Sequence, residues 1–279
     1  MKAHARVAVS ASSDGTTRYD ELRSDAPILL RPVNEALYIV GGAASPLGGD
    51  DLRLEIELQS GVSLVVRSTA ASLARRGIHE LSSMMSISAH LAEKASLWWL
   101  VEPAVACFGC DHYVDVTVDM AENSNLYWRD ELVLGRQGEE SGKWSSRLSA
   151  DIAGQPLVRS EFSTRWPGWN GPAVAGSNEV IGSILIAGEC IAGECIAGAG
   201  IAGADTFCCQ NTVSLDDYTV SSGGHTREVH SKRPEEVESV GRGTCMPLNG
   251  PGVMVSAVAR DLVTLRQVAG ALLQHHYIT

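Results

Sequence analysis

The chain predicts a mainly β fold: a stacked scaffold of antiparallel strands, with a few helices including one at the C-terminus. Three observations predict it. Leu52, Leu54, Ile56 and Leu58 alternate with Arg53, Glu55 and Glu57, and Gln59-Ser60-Gly61 turns the chain into a second apolar run, Val62 to Val66. The pattern recurs about 60 residues on. There Val114, Val116, Val118 and Met120 alternate with Asp115, Thr117 and Asp119, and Ala121 to Asn125 leads into Leu126 to Leu134. Period-two alternation marks a strand with one buried face, and a short turn between two such runs reads as an antiparallel hairpin. Repeated β units that cannot cover their own apolar faces stack into a solenoid or sandwich. Third, helical periodicity is sparse; Arg260 to His276 carries the best stripe, from Leu262, Leu265, Val268, Leu272 and Leu273, with no proline.

The elements follow in order. The N-terminal MKAHARVAVSASSDG has no uninterrupted apolar core of the kind a signal peptide needs. Gly41-Gly42 and Gly48-Gly49 frame a loop ending in Asp50-Asp51. It lacks the Lys-Ser/Thr of a phosphate-binding loop and a strand follows it rather than a helix, so its glycines are expected to serve tight turns. Ser82 to Leu100 is expected to be partly helical. Ile186 to Asp205 reads IAGEC-IAGEC-IAGAG-IAGAD, four five-residue units too short to bury a core. The stretch reads as repeat expansion in a tolerated loop; a pentapeptide-like coil or a Glu-Cys metal array are its alternatives. Leu215 to Gly243, rich in Ser, Gly and charge, reads as a mobile linker. The expected organisation is one domain over 1–279, with a low-complexity insertion at 187–205 and a flexible insertion or linker at 206–250.

Composition limits the function classes. A net charge of −11 over 279 residues opposes nucleic acid, whose affinity comes from Lys and Arg on phosphates, and disfavours anionic membranes. No run approaches the roughly 20 apolar residues of a membrane-spanning helix. Seven cysteines are an odd count without the spacing of a disulfide scaffold, which places the chain in the reducing cytoplasm.

Chemistry-bearing residues are few. Cys107-Phe108-Gly109-Cys110-Asp111-His112 has C-x-x-C-x-H spacing, which can set two thiolates and an imidazole around one soft cation. The alternative is a strand entering a turn, with Cys107 and Cys110 packing as small hydrophobes. Cys190, Cys195, Cys208 and Cys209 with His225 and His230 form a looser group of possible soft ligands, and His275-His276 an exposed pair. No G-x-S-x-G element occurs, and Asp130-Glu131 sit on a strand, where neighbours face opposite ways. No catalytic site is expected. Six tryptophans are available for core or interface, with Trp166 and Trp169 the expected exposed pair around a turn.

Gly48 to Ala71 follows the pattern G-G-D-x-L-x-L-x-I-x-L-x-x-G-V-x-L-x-V-x-S-T-A-A, and Trp99-Leu100-Val101-Glu102-Pro103 and Trp128-x-Asp130-x-x-x-Leu134-Gly135-Arg136 follow in order. Together with Val180 to Ile186, these segments resemble the urease accessory protein D family, also called UreD or UreH, in an actinobacterial-type member with a repeat insertion. The likeness runs from about Pro27 to Ile186 and resumes near Val253. It implies a helicoidal β-scaffold with a few helices, and a non-enzymatic scaffold or chaperone role that binds apo-urease and accessory proteins F and G and assists nickel transfer. No tightly bound cofactor is implied, only transient nickel(II). Gly48, Gly49, Asp50, Glu102, Trp128 and Asp130 match the family motifs, and Asp50, Glu102 and Asp130 are expected to include polar groups facing an internal nickel passage. Hydrogen bonding to backbone at turns is the alternative role. Rival readings are a β-solenoid structural protein, or a thiol or metal hydrolase using Cys107, Cys110 and His112.

Overall fold

A computed structural model describes residues 1–12, 16–188, 218–223, 226–231 and 241–278. Its strands form two sheets. The seven-stranded sheet runs β14 (Gln155–Ser163), β13 (Lys143–Ile152), β11 (Asp111–Met120), β8 (Ser83–Leu91), β5 (Asp51–Leu58), β1 (Lys2–Ala11), β2 (Thr17–Arg23). The twelve-stranded sheet runs β16 (Tyr218–Gly223), β17 (Thr226–Ser231), β18 (Arg242–Pro247), β19 (Gly252–Ala259), β15 (Val180–Ala187), β12 (Asn125–Val133), β9 (Ser96–Leu100), β6 (Ser63–Ser68), β4 (Ala36–Gly41), β3 (Ile28–Val33). Short β7 (Ser72–Ala74) and β10 (Ala104–Ala106) lie off its main path. The mainly β stacked scaffold and its C-terminal helix are present as expected.

The strand pairing corrects the hairpin expectation. β5 and β6 do not fold back on each other; they enter different sheets. β5 pairs in parallel with β8, β8 with β11 and β11 with β13, while β6 pairs in parallel with β9 and β9 with β12. Each strand–turn–strand unit is therefore one coil of a parallel solenoid. Ser63, Ser96 and Asn125 lie in register, so the chain returns to the same level after 33 residues (63 to 96) and then 29 (96 to 125). The physical reason is cover. A hairpin would leave the apolar faces of both strands on one side of one sheet, whereas a corner turns those faces toward each other. Antiparallel pairing is kept for the two ends of the solenoid, as in β1–β2, β3–β4, β13–β14 and β12–β15–β19–β18.

The corners themselves stack. Val62 donates its N–H to Gln59 O, Ala95 to Ala92 O and Ser124 to Ala121 O, and Gly61 N–H bonds Glu93 O of the next corner at 3.0 Å. Ser82 to Leu100 is not helical: it forms β8 and β9, the middle coil. Ile87, Ala89 and Leu91 face the core while Ser88 and His90 are exposed, a period-two pattern in which serine replaces the charged residues of the neighbouring coils. The core is built from columns, Leu54–Ile87–Val116–Leu148 from one sheet and Leu64–Leu97–Leu126 from the other. Trp99 stacks flat on Trp128 at 4.4 Å, while Trp98 and Tyr127 stack on the outer face at 5.4 Å.

Helix α1 (Leu262–Ile278) covers the outer face of β15, β19 and β18 with Leu265, Val268, Ala269 and Leu272. Asp261 caps it, accepting the Thr264 N–H and the Thr264 hydroxyl, each at 2.8 Å. Within 206–250, expected as a flexible insertion, lie β16, β17 and β18, which extend the larger sheet. The IAGEC units from 189 onward, Cys190, Cys195, Cys208, Cys209 and His225 lie outside the described residues, as do the side chains of His230, His275 and His276. Among the described residues no helix is long and apolar enough to cross a membrane.

Candidate functional site

The alternation of β12 sorts its side chains. Leu126, Trp128, Asp130 and Leu132 face the space between the sheets, and Tyr127, Arg129 and Glu131 face outward beneath α1. Trp128, 2% exposed, closes the apolar core. One step further along the strand the interior becomes polar. Asp130 pairs in register with Ser183 on β15, Ser183 with Ser256 on β19, and Ser256 with Thr244 on β18. All four line a cavity of about 490 Å³, whose opposite wall includes Ser146 and Ser160 from β13 and β14. Arg147 and Glu161 border it as an ion pair at 3.8 Å, and Arg242, held by the carbonyls of Pro172 and Val174, lines it as well.

Enclosure by protein, reinforced by the neighbouring Glu131 charge, raises the Asp130 carboxyl to about 6, against a weaker opposing hydrogen bond from the Glu131 N–H. The group is therefore predominantly ionised at neutral pH yet easily neutralised. Glu131 faces the other side of the strand. Its carboxylate accepts the Arg266 guanidinium through two hydrogen bonds of 2.8 and 2.7 Å, tying α1 to β12. The two adjacent acids thus serve opposite faces of one strand.

The remaining sequence-chosen residues lie elsewhere. Asp50 is buried in the turn before β5, where its oxygens accept the Met1 ammonium, the Ser45 hydroxyl at 2.7 Å and the Leu47 N–H at 2.9 Å. Burial alone raises its pKa, but these hydrogen bonds and the ammonium charge outweigh that and hold it below the usual carboxylate range. Gly48 has backbone of Leu81 and Gly77 where a Cβ would stand, and Gly49 adopts a φ of +93°. Glu102 is on the outer surface, 3.6 Å from Arg266, and its N–H donates to Ser68 Oγ at 2.9 Å. Of the three carboxylates expected at an internal passage, only Asp130 lines the cavity.

Cys107, Cys110 and His112 are all buried, and among the described residues no three His, Cys, Asp or Glu side chains converge so as to hold a metal ion. Burial, then the neighbouring Cys107 and Asp111, pushes the Cys110 thiol up to about 12, so it stays protonated. Its Sγ–H faces Lys143 O at 3.7 Å and it packs with Trp144 and Ala106. His112 Nδ1 lies 2.7 Å from Ser83 Oγ, and burial brings its pKa down to about 4 despite Asp50 and Asp111. The ring is a neutral core group.

Ser183, Ser256 and Thr244 escaped the motif reading. Their signal is a single hydroxyl at an inward position of an otherwise apolar run, VIGSILIA for Ser183 and GVMVSAVA for Ser256.

Comparison with known proteins adds an independent finding. The family model described as UreD urease accessory protein matches residues 1–277. A protein named Urease accessory protein UreD from Frankia casuarinae is 33% identical over 96% of this chain and 87% of its own length. One of the same name from Frankia alni is 33% identical over 98% of this chain and 92% of its own length. Urease accessory protein UreD 2 of Saccharopolyspora erythraea is 36% identical over 66% of this chain and 68% of its own length.

Proposed function

The chain belongs to the UreD family of urease accessory proteins and so has a role in urease maturation, and from that premise we propose that it is a non-enzymatic cytoplasmic scaffold whose cavity behind Asp130 passes nickel(II). In this reading it binds apo-urease and accessory proteins F and G, and nickel is cargo rather than a resident cofactor. The observation that carries the proposal is the inward row of oxygen donors, Asp130, Ser183, Ser256 and Thr244, on one wall of a cavity between two sheets.

The chemistry of that row suits a cation in transit. Hydroxyls and one carboxylate are hard, weak donors that can exchange with the water shell of a divalent ion without fixing its geometry. A site with three or four strong ligands would retain nickel; one carboxylate lowers the entry cost and lets the ion leave. The buried thiols of Cys107 and Cys110 oppose the hydrolase reading, since neither is poised to ionise.

Complementation tests the proposal. In cells lacking the accessory protein, the wild-type chain is expected to restore urease activity. Ser256→Leu, which replaces one donor of the row with a bulkier apolar side chain, is expected to fail while still co-purifying with F, G and apo-urease. Full activation by Ser256→Leu would overturn the passage.

A further inference from the structure

The cavity behind Asp130 has one wall that belongs to neither sheet. It comes from the segment between β14 and β15, whose Ala173 and Val174 line the cavity. Both residues are also exposed, Val174 by 42%, so they form part of the rim between the cavity and solvent.

This segment is anchored at its base and tied loosely at its tip. Trp169 and the fully buried Ala175 pack into the cluster around Trp144 and Phe162. Gly168 and Gly176 adopt φ of +84° and +61°, the left-handed region that favours glycine, so both bends depend on that residue type. The backbone hydrogen bonds of 171–176 stay within the segment. Gly171 N–H donates to Gly168 O, Ala175 N–H to Trp169 O, and Val174 and Gly176 N–H both to Gly171 O. Among the described residues the outside tie is Arg242. It reaches from β18, and its Nη2 donates to Pro172 O and, at 3.0 Å, to Val174 O.

A tip bonded mostly to itself can move as a unit, because breaking its few outside ties costs no other hydrogen bonds. The cavity behind it is roomy. An ion with six waters of roughly 30 Å³ each takes up about 180 Å³, against a cavity of about 490 Å³, which leaves the rim rather than the interior to control entry.

We propose that the 171–176 tip is a gate on the Asp130 cavity and that Arg242 is the latch that holds it shut. The proposal rests on the passage reading above and assigns its regulation: the cavity loads and empties when Arg242 releases Pro172 and Val174. Arg242 is thus a positioning residue, acting on the rim through the tip rather than as one of the oxygen donors.

The test uses the full-length chain with Ser256→Cys as a reporter thiol inside the cavity. Its rate of alkylation by iodoacetamide, read at that position by peptide mass spectrometry, reports how often the tip is open. Adding Arg242→Gln should raise the rate by about tenfold or more, the weight of one hydrogen bond to a charged donor, and Arg242→Lys should fall between. The unfolding midpoint should stay the same, as should alkylation of Ser124→Cys, buried at a distant corner turn, which separates a latch from general loosening. An unchanged Ser256→Cys rate with Arg242→Gln would overturn the gate. Hydrogen exchange of the wild-type chain gives a second reading that needs no variant: the Val174 and Gly176 amides should open together, before the core strands, and opening only with those strands would also overturn it. None of these readouts uses nickel, so failure of the passage reading, seen as full urease activation by Ser256→Leu, is distinguishable from failure of the gate.

Discussion

Trp128 separates an architectural reading of a family-motif residue from a functional one. It is 2% exposed and its ring lies flat on Trp99 at 4.4 Å, linking two successive coils. A buried Trp removes roughly 150–250 Å² from water, which at about 25 cal/mol/Å² amounts to roughly 4–6 kcal/mol of transfer free energy. A compact denatured state already hides part of that area, and Ala retains one methyl, so Trp128→Ala should cost about 3–5 kcal/mol. Trp128→Phe keeps a ring on Trp99 and should cost about 1–2 kcal/mol. Denaturant unfolding measures both, against a total stability of about 5–15 kcal/mol for a typical domain. In cells, Trp128→Phe should still support urease activation. Loss of less than about 1 kcal/mol in Trp128→Ala would refute the core role. So would loss of activation in a Trp128→Phe protein of near-native stability.

Two further outcomes follow from the charges of β12. Glu131→Gln takes the bidentate carboxylate from Arg266, leaving the 3.6 Å contact with the more exposed Glu102, and should cost about 2–3 kcal/mol by denaturant unfolding, less than for a fully buried pair because Arg266 keeps some solvent. Asp130 has the opposite sign. Its folded pKa, raised to about 6, exceeds the ordinary value of 3.8, so the folded state holds its proton longer and the contribution to stability falls as pH rises from about 4 to about 6. Asp130→Asn should therefore stabilise the protein at pH 7, by about 1–3 kcal/mol after allowance for the open cavity, with no gain near pH 3.5. A destabilised Asp130→Asn at pH 7 would contradict that placement of the carboxyl.

Much of the architecture is legible in the chain, residue by residue. Leu52 to Val66 and Val114 to Leu134 announce two strand–turn–strand units by alternation alone, and Leu262 to Leu273 announces the helix. The middle coil is hidden because Ser86, Ser88 and the small Ala89 blunt the contrast between its faces. Parallel pairing is hidden for another reason: Gln59-Ser60-Gly61 and Ala121 to Asn125 are as compatible with a hairpin as with a corner, and only the cover of the apolar faces by the opposite sheet decides. The site is legible in part. Parity along β12 sends Asp130 inward with Trp128, but its partners Ser183, Thr244 and Ser256 arrive from distant strands and form no local motif. The C-x-x-C-x-H spacing is the converse case, a pattern with metal-ligand intervals whose side chains the fold packs into a core.

The most direct test of the central claim is the nickel content of urease matured by Asp130→Ala. The variant should fold and co-purify with accessory proteins F and G and apo-urease. We expect the urease it yields to carry markedly less nickel than that matured by the wild-type chain, with Asp130→Glu recovering part of the difference. Full nickel occupancy with Asp130→Ala would contradict a passage past this carboxylate.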